Sequence, residues 1–251
     1  MDPKKVNSVL FLPGALMPAA PQYEPLLKVL DGEVEPVLHD LEVYRHDAPP
    51  ADYSLEVEIQ ALRRAAEERR MERFHLVAYS GGGAVALAFV AAYPDRVASL
   101  ALTEPAAIPS QAWVREETAY VAEMKAVMAL PQADQMREFT RLNLRPEAPL
   151  PPAPPGPPPW MSKRPAGLRA LALSFYGGSV DANRFREFRG PVYWAIGSLT
   201  HAVDERKAKF MVGLFRDLRV EIYEGRHHFD PPQRAEPERF ARALRELWAR
   251  A

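Results

Sequence analysis

The chain of 251 residues contains no cysteine, which excludes disulfide bonds, cysteine-ligated metal sites and thiol nucleophiles. It also has almost no net charge, −1 at pH 7, because 32 basic residues balance 33 acidic ones. A nucleic-acid-binding surface needs an excess of basic side chains to neutralise phosphates, so we expect no nucleic-acid partner. Apolar residues make up 47% and charged residues 26% of the chain, which is typical of a globular protein.

Long hydrophobic runs are also missing. The longest uninterrupted apolar run covers ten residues, 84–93, and is too short to cross a bilayer. Residues 1–7 contain no apolar segment of the kind found in secretory signals. We therefore expect a cytoplasmic protein with no membrane partner.

Short apolar segments alternate with amphipathic segments in the first 104 residues and again from residue 191. This rhythm is typical of strands and helices that alternate in a parallel sheet covered on both faces. We predict an α/β fold with a mostly parallel, doubly wound sheet of about six strands. The predicted strands cover residues 8–12, 34–38, 74–78, 97–102, 192–196 and 220–223. The predicted helices cover residues 22–30, 54–70, 82–93, 204–215 and 236–249.

The alternation stops between residues 105 and 190, where helices are predicted over 110–130, 131–144 and 165–175 with no strand between them. Ten prolines fall within residues 146–165, a density that excludes both helix and central strand. We therefore expect a core formed by residues 1–104 and 191–251, interrupted by a helical, proline-rich lid over 105–190. A disordered linker, or a peptide ligand for a proline-binding domain, is the alternative for residues 146–165.

Ser80 lies in the segment Ala78-Tyr79-Ser80-Gly81-Gly82, between a buried strand and a helix. A serine on a sharp strand-to-helix turn projects its hydroxyl from the carboxyl edge of the sheet, and its neighbours must be small. The helix that follows also favours negative charge at its N-terminus. The spacing A-x-S-x-G alone occurs by chance, and a serine helix cap before a glycine-rich start is the simpler alternative.

A general base for Ser80 is available in Gly225-Arg226-His227-His228-Phe229, just after the last predicted strand. A serine hydroxyl is a poor nucleophile until a base removes its proton, and a loop at this position can return an imidazole to the same sheet edge. No carboxylate stands at metal-ligand spacing from the two histidines, so we expect neither a metal ion nor a cofactor.

This order of motifs resembles the α/β-hydrolase superfamily over nearly the whole chain. The resemblance implies a Ser–His–acid triad with Ser80 as nucleophile and His228, at G-x-x-H spacing from Gly225, as base. It also implies an oxyanion hole made by the backbone N–H groups of Gly81 and of Ala15, in the turn after the first strand. Ala78 replaces the commoner glycine of the elbow.

The acid of the triad departs from the family pattern. Most members take it from a G-x-x-D turn, which reads Gly197-Ser198-Leu199-Thr200 in this chain. Glu104 ends the strand after the nucleophile strand, a position where some members hold their acid, and the carboxyl ends of parallel strands face one crevice. Asp204 is the second candidate, although an acidic residue there also suits the first turn of a helix. A site without a third member is the remaining alternative.

The sequence is compatible with three alternative functions. The first is a serine hydrolase that acts on a small ester or related acyl substrate through an acyl-enzyme, with Trp113, Trp160 and Met161 of the lid in contact with the substrate. The second is a non-catalytic protein that binds small molecules on the same fold, because the usual acid is missing. The third is a scaffold whose residues 146–165 bind proline-recognition domains.

Overall fold

The computed structural model describes residues 6–152, 156–178 and 180–251. Within them, six parallel strands form one sheet with the order β2-β1-β3-β4-β5-β6. The strands are β1 (Val6–Leu12), β2 (Val34–Leu38), β3 (Phe74–Tyr79), β4 (Val97–Thr103), β5 (Val192–Gly197) and β6 (Leu218–Tyr223). The predicted fold class and all six predicted strands are confirmed. Residues 1–5, and residues 153–155 of the proline-rich segment, lie outside the described residues.

Helices flank the sheet on both faces. They are α1 (Ala19–Val29), α2 (Leu55–Glu68), α3 (Ser80–Ala92), α4 (Gln111–Glu116), α5 (Thr118–Ala129), α6 (Gln132–Leu142), α7 (Arg164–Tyr176), α8 (Val203–Val212), α9 (Pro232–Ala235) and α10 (Pro237–Trp248). Single turns of 3₁₀ helix cover Glu42–Tyr44, Pro94–Arg96 and Met161–Lys163, and a longer 3₁₀ segment covers Ala182–Glu187.

The four central strands β1, β3, β4 and β5 are buried on both faces, as is usual in a parallel sheet, whereas the edge strands β2 and β6 are partly exposed. Along β1, Leu10 and Leu12 pack into the core on the α2–α3 face, whereas Val9 and Phe11 pack into the core on the α1–α10 face. The same alternation continues in β3 and β4. The sheet is therefore anchored on both sides, and the ends of β3, β4 and β5 are held in fixed relative positions.

Helices α4 to α7 connect β4 to β5, where a helical insertion is predicted. Their buried side chains, among them Tyr120, Leu171 and Phe175, join the same hydrophobic core as α2 and α3. The prediction of a single helix over 110–130 is wrong. The backbone leaves helical geometry at Glu117 (φ −111°, ψ 41°), and the carboxylate of Glu117 accepts a hydrogen bond from Arg206 Nη2 of α8 at 2.9 Å.

The N-terminal ends of α2 and α3 also differ from expectation. The predicted N-terminal serine of α2, Ser54, occupies the cap position, but its side chain accepts no capping hydrogen bond. Helix α3 begins at Ser80 rather than at residue 82, so the candidate nucleophile is the first residue of its helix. None of the helices in the described part of the chain is both long enough and apolar enough to cross a bilayer.

Candidate active site

Ser80 occupies a sharp turn where β3 ends and α3 begins. Its φ is +49°, in the left-handed region that non-glycine residues rarely adopt. Close packing supports this turn: Gly82 N–H donates to the carbonyl oxygen of Pro13 at 3.0 Å. A Cβ on Gly82 would lie 2.7 Å from the Cβ of Leu12, so a larger residue would push the β1 turn away. The strained turn and its small neighbours match the geometry expected of a nucleophile elbow.

Ser80, His228 and Glu104 form a continuous hydrogen-bonded chain. Ser80 Oγ lies 3.0 Å from His228 Nε2, and His228 Nδ1 lies 2.8 Å from Glu104 Oε2. All three side chains are buried, with 5%, 3% and 0% of their surface exposed. A carboxylate only accepts hydrogen bonds, so His228 must carry its proton on Nδ1, which leaves Nε2 free to accept the serine proton. This is the arrangement that a serine nucleophile needs.

Glu104 is held by more than the histidine. It follows the last residue of β4 and has φ +43°, which turns its side chain toward the loop after β5. Its Oε1 accepts hydrogen bonds from Gly197 N–H and from Thr200 Oγ1, both at 2.6 Å. Thr200, which stands where the usual acid would be, therefore donates a hydrogen bond to a carboxylate that comes from the neighbouring strand. Threonine lacks a charge, but its hydroxyl is a hydrogen-bond donor, and the spacing Gly197-x-x-Thr200 alone does not reveal that role.

Asp204, the alternative acid, does not contact the imidazole. It lies in the first turn of α8, and Lys207 Nζ is 2.7 Å from its Oδ1. Both side chains are 2% exposed, and Lys207 also donates to the carbonyl oxygen of Pro105. Burial raises the pKa of the Asp204 carboxyl, and the Lys207 ammonium opposes that rise. Of the two candidate acids, only Glu104 lies within hydrogen-bonding distance of His228.

The backbone N–H groups of Ala15 and Gly81 lie beside Ser80. A Cβ built on Gly81 would be 3.4 Å from Ala15 N, so the two residues are in close contact across the β1 and β3 turns. Gly81 is in the first turn of α3, where a backbone N–H has no partner within its own helix. Ala15 is 5% exposed, in the turn after β1. Ala15 and Gly81 are therefore adjacent, and the role of their N–H groups as donors of an oxyanion hole stays a prediction.

Tyr79 contacts both the backbone and the ring of His228, although its sequence pattern did not indicate a role in the site. Its hydroxyl donates to the backbone carbonyl of His228, and the two rings lie 5.3 Å apart. Burial raises the pKa of the Tyr79 hydroxyl, so it remains a donor at neutral pH. The tyrosine fixes the backbone of the histidine loop, which leaves β6 through Gly225 at φ +73°.

A cavity of about 250 Å³ opens onto Ser80 and His228. Trp160 and Met161, two of the residues predicted to contact the substrate, line it together with Phe139 of α6. Its other lining residues are Ala15, Leu16, Met17, Gln22, Tyr79, Pro158, Phe229, Pro231 and Arg234. The wall is mostly apolar, which suits a hydrophobic substituent next to the scissile bond.

Trp113 does not line the cavity at Ser80, so its predicted contact with the substrate is wrong. It is 1% exposed and packs edge-to-face against Phe210 of α8, with ring centroids 5.4 Å apart. Its size and its position at the start of α4 bury it between the inserted helices and the core. For this tryptophan, packing of the insertion on the core is the structural role.

The C-terminal part of the proline-rich segment, which contains Trp160, packs beside the site. Trp160 Nε1 donates to the carbonyl oxygen of Leu16 at 3.2 Å, which ties the segment to the turn after β1. Just before the proline-rich segment, the N–H of Arg145 donates to the carbonyl oxygen of Leu199 at 3.0 Å, and Leu199 precedes Thr200. Over residues 6–152, 156–178 and 180–251, no group of three or more histidine, aspartate or glutamate side chains is placed to hold a metal ion.

The fold and the geometry of the site can be compared with known proteins. A family model described as the alpha/beta hydrolase fold matches residues 46–234. The chain therefore belongs to the α/β-hydrolase fold family, as the motifs predicted. A search of curated proteins finds no significant match to this sequence.

Solved structures of similar fold include several hydrolases. A hydrolase from Pseudomonas aeruginosa superposes with a TM-score of 0.72 at 17% identity, covering 96% of this chain and 89% of that one. A thermophilic esterase from Thermogutta terrifontis gives 0.69 at 18% identity, with 98% and 90% covered. A serine hydrolase from Cycloclasticus zankles gives 0.65 at 14% identity, with 98% and 90% covered. At these identities the likeness establishes the shared fold alone.

Proposed function

We propose that this protein is a serine hydrolase that cleaves a small ester or related acyl compound through a covalent acyl-enzyme. The observation that carries the proposal is the hydrogen-bonded chain from Ser80 Oγ to His228 Nε2 and from His228 Nδ1 to Glu104 Oε2, at 3.0 and 2.8 Å. Membership of the α/β-hydrolase fold family and the serine hydrolase among the similar structures agree with it.

In the proposed first half-reaction, Ser80 Oγ attacks the carbonyl carbon of the substrate while His228 Nε2 takes the serine proton. The carbonyl oxygen becomes an oxyanion that accepts hydrogen bonds from the N–H groups of Ala15 and Gly81. The bond to the leaving group then breaks, and His228 returns the proton to the departing alcohol. The product of this step is an ester of Ser80.

In the second half-reaction, His228 takes a proton from water, whose oxygen attacks the acyl carbon, and then protonates Ser80 Oγ as the acid leaves. Glu104 keeps the proton of His228 on Nδ1 and stabilises the imidazolium that forms in each half. The non-catalytic alternative was motivated by a missing acid. The position of Glu104 removes that motive and favours the enzyme.

The segment between β4 and β5 is proposed to act as the lid, with residues 1–104 and 191–251 as the catalytic core. Phe139, Trp160 and Met161 of this segment form part of the cavity wall next to Ser80. A segment that closes the cavity excludes water and determines which acyl groups fit. A scaffold role for the proline-rich residues 146–165 is less favoured, because Trp160 faces the cavity and binds Leu16 rather than projecting outward.

A fluorophosphonate probe and a panel of p-nitrophenyl esters test the proposal. We expect the probe to label the wild type stoichiometrically, and the Ser80→Ala variant to lose both labelling and at least 10³-fold of its ester turnover. Ser54→Ala is the matched control, because Ser54 is exposed and its hydroxyl makes no capping bond. Equal labelling of wild type and Ser80→Ala, or unchanged turnover in Ser80→Ala, would refute the proposed nucleophile.

A further inference from the structure

The turn after β1 carries Ala15, one of the two predicted donors of the oxyanion hole, and its carbonyl oxygens are held from two directions. At the start of the turn, the carbonyl oxygen of Leu12 accepts from the hydroxyl of Tyr23 at 2.6 Å. The carbonyl oxygen of Pro13 accepts from the N–H of Gly82 at 3.0 Å. Both donors belong to the proposed catalytic core, in α1 and α3.

The second half of the turn is held by the segment between β4 and β5. Arg164 Nη1 donates to the carbonyl oxygen of Ala15 at 3.2 Å, and Trp160 Nε1 donates to that of Leu16 at 3.2 Å. Gly14 separates the two halves, and a glycine restricts the backbone little because it has no Cβ. Ala15 therefore takes its support from the inserted segment.

Arg164 is unusual because it is buried without a counter-ion. The residue is only 4% exposed, and its guanidinium lies over the ring of Tyr44, 3.8 Å from the ring centroid. Among the described residues, no carboxylate pairs with the guanidinium. Removing an unpaired charge from water costs stability, so folding alone does not explain an arginine at this position. A role at the carbonyl oxygen of Ala15 does explain it.

The surroundings of Arg164 fix the position of its guanidinium. The ring of Tyr44 lies against Gly167, which follows Arg164 by one helical turn, and a Cβ on Gly167 would clash with that ring. The 3₁₀ turn that carries Tyr44 is itself held, because the N–H of Val43 donates to the buried carboxylate of Glu58 at 2.9 Å. The donor to Ala15 is thus fixed on both of its sides.

Helix α7 also contacts the second predicted donor of the oxyanion hole. A Cβ on Gly81 would lie 2.9 Å from Cδ2 of Leu171, so this leucine covers the Gly81 turn closely. Arg164 and Leu171 are seven positions apart (171 − 164), which is two helical turns and places them on one face of α7. One helix face therefore contacts both Gly81 and Ala15.

We propose that α7 positions the oxyanion hole, with Arg164 as the positioning residue that holds Ala15 so that its N–H points at the developing oxyanion. The inference rests on the proposed function, because the hole is needed only if Ser80 forms such an intermediate. A charged donor makes a stronger hydrogen bond than a neutral one. Electrostatic stabilisation also requires donors that are aligned before the reaction begins.

Removing the guanidinium should therefore slow the reaction more than it weakens substrate binding. Arg164 does not line the cavity at Ser80, so we expect Arg164→Met to change KM little. Complete loss of an oxyanion donor lowers kcat by about 10²- to 10³-fold, and a misaligned donor should cost less, about 10- to 100-fold. Arg164→Lys retains a charged donor and should restore part of kcat.

Arg169→Met is the matched control. Arg169 belongs to the same helix, and its guanidinium also donates to a backbone carbonyl oxygen, that of Leu130 at 3.0 Å. This variant loses the same charge and the same kind of hydrogen bond, but its partner lies at the end of α5. We expect its kcat to match that of wild type.

A thionoester provides a readout that a merely structural defect would not change. Sulfur is larger than oxygen and a weaker hydrogen-bond acceptor, so an aligned oxyanion hole favours the oxygen ester over the thionoester with the same acyl group. We expect the ratio of the two kcat/KM values to fall about fivefold or more in Arg164→Met and to stay constant in Arg169→Met. Partial unfolding, or a displaced His228, would lower both values alike.

The outcomes separate this inference from the proposed function. An unchanged ratio in folded Arg164→Met, whatever its kcat, would overturn the inference and leave the hydrolase standing. If melting curves show that Arg164→Met does not fold, Trp160→Phe replaces it, because phenylalanine removes the donor to Leu16 and retains a ring; an unchanged ratio there would also overturn the inference. A folded wild type that hydrolyses no ester would refute the proposed function and the inference together.

Discussion

Replacing Glu104 by glutamine is the sharpest test of the proposed acid, because the structure determines how the new amide must orient. Oε1 of Glu104 accepts from Gly197 N–H and Thr200 Oγ1, both at 2.6 Å. The N–H of Gly197 belongs to the backbone and cannot turn away. Glutamine has one acceptor oxygen, which must occupy this position, so its NH₂ group points at His228 Nδ1.

The consequence is a histidine with its proton on the wrong nitrogen. Nδ1 of His228 must accept from the amide, so the proton moves to Nε2, which faces Ser80 at 3.0 Å. That tautomer cannot take the serine proton. The corresponding change in triad enzymes lowers kcat about 10⁴-fold, which is about 5.5 kcal/mol of transition-state stabilisation. We expect a loss of about 10³- to 10⁴-fold for Glu104→Gln, with little change in volume or Tm.

Steady-state kinetics on a neutral p-nitrophenyl ester, with melting curves for each variant, provide the assay. Asp204→Asn serves as the comparison, because it removes the other candidate acid. Asn leaves buried Lys207 without its anion, so that variant should lose about 3–5 kcal/mol of stability. Its kcat at a temperature where it stays folded should remain within tenfold of wild type. A large loss of kcat in Asp204→Asn together with near-normal Glu104→Gln would show that the acid is assigned to the wrong residue.

Two further predictions concern a hydrogen bond to Glu104 and the protonation of His75. Thr200→Val removes one of the three donors to Glu104, so we expect kcat/KM on neutral esters to fall about tenfold, and Thr200→Ser to restore most of it; equal activity of the valine and serine variants would contradict the assigned role of the hydroxyl. Burial lowers the pKa of His75 to about 4, below its unfolded value of about 6.5. The unfolded chain then binds the proton more readily between these values, so wild type should lose more Tm than His75→Gln as pH falls from 6.5 to 4. Parallel Tm–pH curves for the two proteins would refute that reasoning.

The fold could be predicted from the sequence because each level of the pattern agreed. Buried strands such as 74–78 and 97–102 are short apolar runs separated by helical periodicity, and this combination admits few topologies. Helix boundaries were less predictable. At the break, Glu117 binds Arg206, which lies 89 positions away along the chain. Helix propensity depends on neighbouring residues, so it cannot predict a contact with so distant a partner.

Some residues of the candidate site could be selected from the sequence, whereas the roles of others could not. Ser80 and His228 could be selected because their motifs lie at strand ends, and Glu104 because parallel strand ends share one edge of the sheet. The donor role of Thr200 requires knowledge that Glu104 and Thr200 meet, which no spacing reveals. Trp113 was misplaced because apolar residues of an insertion can pack on the core or line a cavity, and the sequence pattern is the same in both cases. The cytoplasmic location stays a prediction.

Two adjacent strands end in the same strained conformation, and both strained residues belong to the proposed triad. Ser80 after β3 has φ +49° and Glu104 after β4 has φ +43°, and each costs about 1–2 kcal/mol relative to right-handed backbone. The turns brace each other, because the N–H of Ala106 donates to Ser80 O at 2.8 Å. Glycine at either position would relieve the strain and remove the reacting group. The strained backbone lets the side chains of Ser80 and Glu104 leave two parallel strands and converge on the imidazole of His228. Burial of apolar side chains on both faces of the sheet offsets the cost of this strain.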